Sequence, residues 1–104
     1  MPYKNRQPRK KAQQLKLFRW SADKNRQLEM ERGITFDRVV TAIGNGKTLD
    51  VIEHPNKAKY PSQRIFIIAL DEYVYLVPFV ESEQEIFLKT IIPSRKMKKQ
   101  YLGE

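Results

Sequence analysis

Lys89 interrupts an apolar run between Leu88 and Thr90 and sits two residues from both Phe87 and Ile91. A cation there must turn from the core, reach a groove or meet an acid. Desolvation in such a place would favour its neutral form and make it useful as an acid or base. The alternative is a strand-edge lysine with its stem laid on apolar surface. Arg64 opens one of three long apolar runs, and Arg95 follows Ser94 at the head of a basic closing segment. A guanidinium grips anionic oxygens with two parallel bonds and keeps its proton, so both arginines suit charge stabilisation rather than proton transfer. The free amides of a helix starting after Pro93 would add a further anion site. Lys89, Arg64 and Arg95 therefore form a candidate phosphate-binding set, with ordinary ion pairs to nearby acids as the competing reading for either arginine. His54 is the single histidine and a natural general base, although it precedes Pro55 at a strand end with no obvious orienting partner in sequence.

The distribution of charge says which anion to expect. Met1 to Lys16 holds six Lys or Arg and no acid, and Lys89 to Lys99 holds five more, again without an acid. The stretch from Leu17 to Leu88 carries nine basic residues and eleven of the twelve acids, so the formal net charge of +8 comes from the two ends. Clustered cations bind a polyanion by releasing its condensed counterions, which points to nucleic acid. Solvated lysines and an acidic protein partner are the alternatives. Within this picture Lys24, Lys96, Lys98 and Lys99 are candidate phosphate contacts. Tyr60, Tyr101 and Trp20 could stack on unpaired bases, with a core position competing for Trp20 and Tyr101. Lys24 also stands in the first turn of a helix, where a cation opposes the helix dipole.

Composition narrows the classes. The 104 residues suit one domain, written as a basic tail, 1–14, and a folded unit, 15–104. Without Cys there are no disulfides or thiolate metal sites, and one His makes no cluster, so no metal or cofactor is expected. No long apolar run follows the basic head, which argues against a signal peptide or a membrane span and for a cytoplasmic protein. Met1 to Gln14 has almost nothing apolar to bury and is expected to be disordered when free.

The elements that must position the candidate residues follow from local patterns. Leu15 to Trp20 suits a short first strand. Ser21 can cap a polar helix, Ala22 to Arg32, closed by Gly33, with Leu28 its clearest core contact. Phe36, Val39, Val40 and Ile43 mark a second helix that Thr35 can cap and Gly44 can close. Leu49 and Val51 suggest a strand, and a Pro-rich loop runs from Pro55 to Pro61. Three strands follow, Arg64 to Leu70, Tyr73 to Val80 and Glu85 to Ile92, joined by short acidic connections as hairpins. Pro78 cannot donate to a ladder, so its strand should be bulged or at an edge there. Ser94 caps a closing helix to Leu102. The sum is an α+β domain whose antiparallel sheet has about four to five strands, with two N-terminal helices and one short C-terminal helix.

Phe18-x-Trp20-x-x-x-Lys24, then Gly33-Ile34-x-Phe36, then Lys89-Thr90-Ile91-Ile92-Pro93-Ser94-Arg95-Lys96 running on to Tyr101-Leu102, resemble the BrnT family of bacterial type II toxins over about Leu17 to Leu102. The chain departs from that pattern at Ser21, Leu28 and Glu31-Arg32, where the family carries Asp, Asn and Lys-His. The resemblance implies a RelE-like ribonuclease fold, metal-independent RNA cleavage that arrests translation and growth, and neutralisation by a cognate antitoxin, of ribbon-helix-helix type, whose complex with the toxin binds operator DNA. A noncatalytic RNA- or DNA-binding module, or a domain that meets an acidic partner, would use the same basic ends.

Overall fold

The computed structural model of the chain describes residues 16–103; the tail expected to be disordered lies outside them. In order come β1 (Leu17–Arg19), α1 (Ala22–Arg32), α2 (Phe36–Gly44), β2 (Thr48–Glu53), β3 (Gln63–Leu70), β4 (Tyr73–Glu81), β5 (Glu85–Leu88), β6 (Ile92–Pro93) and α3 (Arg95–Leu102). The α+β class and the two-plus-one arrangement of helices are as the patterns predict.

The first helix begins and ends where its cap residues stand. The Ser21 hydroxyl accepts from the Lys24 amide, and Gly33 takes the left-handed conformation that ends α1. The Thr35 hydroxyl makes no cap bond, contrary to the reading of its type. Instead the Asn25 carbonyl Oδ1 accepts from the Phe36 amide at 2.7 Å, so α1 caps α2. Gly44 is the last helical residue, and the chain turns at Asn45 and Gly46 instead, the latter with positive φ.

The strands form one sheet in the order β1-β5-β4-β3-β2, with β6 pairing β4 beyond the end of β5. All pairs are antiparallel except β1 with β5, which run parallel. The strand expected from Glu85 to Ile92 is therefore broken after Leu88. Pro78 supplies the reason: the Lys89 amide donates to its carbonyl at 2.8 Å, so the side of β4 that faces β5 is the side on which Pro78 has no N–H to give. Between Leu88↔Phe79 and Ile92↔Leu76 the β5–β6 segment holds one residue more than β4, a bulge with Pro78 opposite it. Pro78 thus sits at a bulge in a central strand, not at an edge.

One face of the sheet carries the main core. Phe66, Ile68, Val77, Phe79 and Leu88 pack with Leu28, Ile34, Phe36, Val39 and Ala42 from the helical half. Ile65, Ile67 and Val74 on the other face are buried too. Asp50 pairs with Ile67 and so shares that second face, and the Tyr101 hydroxyl donates to Asp50 at 3.0 Å. α3 therefore crosses from β6 to β2 on the face opposite α1 and α2, near the β3–β4 hairpin. The hairpin itself turns on Asp71 and Glu72, both with positive φ.

Candidate nucleic-acid interface

Register decides which candidate side chains can act together. Arg64 pairs with Phe79, and Phe79 with Leu88, so Arg64 lies at the margin of the face that α1 and α2 cover. There its guanidinium stacks over the Phe79 ring and donates to Glu81 at 2.6 Å. Lys16 binds the same Glu81 carboxylate at 2.7 Å, and this pair of cations, led by Lys16, holds the Glu81 carboxyl below its ordinary range against the opposing effect of its partial burial. Arg64, Lys16, Phe79, Ser62 and Ser82 line a small cavity of about 490 Å³.

Lys89 lies on the other face. Its ammonium rests over the Phe87 ring, 5.5 Å from the centroid, and Phe87 pairs with Val80, which pairs with Gln63. Lys89 is exposed and follows the end of β5, so it is not enclosed in an apolar strand as its neighbours in sequence suggest. Arg95 is exposed in the first turn of α3, and the Ser94 amide beside it reaches the Val74 carbonyl, four residues along β4 from the carbonyl that Lys89 uses. At roughly 3.4 Å per residue that is about 14 Å. The expected set of Lys89, Arg64 and Arg95 is accordingly not assembled. Lys89 and Arg95 share a face, whereas Arg64 is on the reverse and neutralised by Glu81.

His54 has the orienting partner its sequence neighbours did not reveal. Its Nδ1 accepts from the Asn56 amide at 3.0 Å, and its ring packs against Tyr60 in a tilted contact with centroids 4.5 Å apart. Asn56 also accepts from the amides of Tyr60 and Lys59, so the loop is a folded unit that fixes Tyr60 beside His54. With Nδ1 accepting, the neutral imidazole carries its proton on Nε2. The ring is thereby set up as a donor, and the general-base role expected of it is corrected to that extent.

The remaining candidates divide. Lys24 lies one turn before buried Leu28 on α1, on the helical face, and does not join Lys89. Trp20 stacks on Phe36 and packs against the core. Tyr101 is committed to Asp50, whose carboxylate accepts its O–H and raises the phenol above its ordinary range. The Lys98 ammonium sits over the Tyr73 ring, while Lys96 and Lys99 are exposed. Among the described residues Arg26, Arg38, Arg19, Lys57, Lys16 and Arg64 each pair with a carboxylate, whereas Lys24, Arg32, Lys47 and Lys59, and the group Lys89, Arg95, Lys96 and Lys99, do not.

Two residues that the sequence reading passed over complete this surface. The parallel register sets Arg19 beside Phe87, and β5 places Phe87 between Arg19 and Lys89. A row then crosses the sheet as Arg19, Phe87, Val80, Gln63 and His54, the last joined through its amide to the Gln63 carbonyl at 3.2 Å. Arg19 also meets Glu85 at 3.2 Å. The alternation Glu85, Phe87, Lys89 was readable as one strand face, but the neighbour of that face is set by the β1–β5 pairing, which no local pattern encodes. No family model, curated protein or solved structure matches this chain. Among the described residues no helix is long and apolar enough to cross a membrane.

Proposed function

We propose that this chain is the toxin of a bacterial type II toxin-antitoxin pair, a cytoplasmic RelE-like endoribonuclease that cleaves RNA without a metal ion. The reading rests on one structural observation, the set of cations at Lys89, Arg95, Lys96 and Lys99 that no carboxylate neutralises, with Lys89 and α3 on one sheet face. It is supported by the resemblance at Phe18 to Lys24 and Lys89 to Leu102. A small ribbon-helix-helix antitoxin would cover this face, and the complex would bind operator DNA.

In such a cleavage the 2′-hydroxyl gives its proton to water as its oxygen attacks the neighbouring phosphorus, the bond to the 5′-oxygen breaks and that oxygen takes a proton from water, and a cyclic phosphate and a 5′-hydroxyl result. Lys89 and Arg95 would take the charge that builds on the phosphate. His54, whose neutral ring carries its proton on Nε2, suits a hydrogen bond to a phosphoryl oxygen as the charge builds there, rather than proton transfer. Incubating purified protein with RNA in EDTA tests this: cleavage with 5′-hydroxyl ends is expected, slowed about 100-fold or more by His54→Ala. A second reading, a noncatalytic RNA-binding module, is favoured by the separation of Arg64 from Lys89. Tight binding with RNA left intact, and harmless overexpression of folded protein, would establish it instead.

A further inference from the structure

The uncovered half of the sheet holds more than charge. Phe87 lies partly exposed between two cations, Arg19 across the strand pair and Lys89 over its ring. At the far end of the same row stands the His54–Tyr60 pair, its rings tilted by 36° and partly exposed as well, with the Lys59 ammonium 5.4 Å from the Tyr60 centroid. Three interstrand steps of roughly 4.8 Å separate the two aromatic stations, about 14 Å. Between them in the row lie Val80 and Gln63, both half-buried. Glu85, two residues before Phe87 on the same strand, is turned to Arg19.

We infer that the substrate is unpaired RNA, with one base stacked on Phe87 and another, a few nucleotides away, on the His54–Tyr60 pair. This rests on the RNA reading above and adds to it the class of RNA and the residues that hold its bases. Rings flanked by cations are what a single strand requires, because each nucleotide offers a π-face and a phosphate together. An A-form duplex keeps its bases stacked inside and presents only riboses and phosphates, which two separated rings on a flat sheet cannot exploit. Displacing the Lys89 ammonium from the ring moves that cation toward the adjoining phosphate.

A 2′-O-methyl oligoribonucleotide lacks the attacking hydroxyl and stays intact, so it isolates binding from cleavage. Titrated as a single strand and as the same sequence in a duplex, it should bind the whole chain at least about tenfold more tightly unpaired. Phe87→Leu and Tyr60→Leu should each weaken the single strand by about 5- to 100-fold and leave the salt slope unchanged. A 2-aminopurine base in the strand should be quenched by the native protein and less so by Phe87→Leu, a readout that loss of packing alone does not move. Tyr60 stands on a loop, so its variant keeps the test alive if Phe87→Leu unfolds. Equal affinity for duplex and single strand, or native-like binding by both variants while Lys89→Ala weakens it, would overturn stacking and leave the RNA reading intact. No binding of either form at low salt would remove both.

Discussion

Glu81 shows how a single carboxylate decides the use of two cations. It lies between Lys16 and Arg64 and binds both, and this withdraws Arg64 from any anion that approaches that margin. The carboxyl is held below its ordinary value of 4.5, first by the Lys16 hydrogen bond. A group whose folded pKa is depressed contributes stability above its unfolded pKa and loses that contribution as pH falls through the folded value. Glu81→Gln should therefore lower the melting temperature at neutral pH, and the gap between variant and native protein should close as the pH falls below about 4. Melting curves across that range check it; a gap independent of pH would mean that the side chain matters only through its shape. The same variant frees Arg64, so RNA affinity should rise or hold, never fall. Residue identities alone were enough to nominate Arg64 and Lys89. What they could not tell was that consecutive pairings Arg64↔Phe79↔Leu88 place Arg64 with Leu88, and so leave Lys89, the next residue, on the reverse.

The elements that were legible are those whose signals are local. Ser21, Gly33, Ser94 and the spacing of Phe36, Val39 and Val40 depend on neighbours within a turn, and the helices start and stop accordingly. Where a bond partner lies in another element, the reading failed. Thr35 has the type of a cap, yet the amide of Phe36 is satisfied from α1 by Asn25. Asn25→Ala should then cost about 1–2 kcal/mol in chemical denaturation, by orphaning a part-buried amide, whereas Thr35→Ala should cost under about 0.5 kcal/mol. Equal effects would return the cap to Thr35. The Asp71-Glu72 turn was legible as a hairpin from its length but not in its conformation: both residues have positive φ, the geometry that two-residue hairpins prefer and that Gly adopts without steric cost. Asp71 is held in place by its pair with Arg38, and Glu72 has no such pair among the described residues. Glu72→Gly should stabilise the protein by about 0.5–1 kcal/mol, read from the shift of the denaturation midpoint.

At the scale of the whole molecule the question is where the net charge of +8 can act. Six described cations, five of them from the middle of the chain, are spent on carboxylates; of the others, Lys24, Arg32, Lys47 and Lys59 are scattered along the middle segment, whereas Lys89 and, on α3, Arg95, Lys96 and Lys99 lie on one face. Each phosphate that a single strand places against such a cation releases its counterion and adds roughly 0.7 to the slope of log affinity against log salt. Arg95, Lys96 and Lys99 all stand exposed on α3, whose packing depends on Met97 and Tyr101 rather than on them. Replacing the three by Gln should leave the melting temperature within a few degrees of the native value and lower the slope by about 2 if all three meet phosphates. A fall near 0.7 would assign one contact to the helix and move the strand toward Lys89 and Arg19. An unchanged slope, with Lys89→Ala also without effect, would mean that the polyanion does not lie on this face at all, and the open half of the sheet would have to be read as a surface for a protein partner.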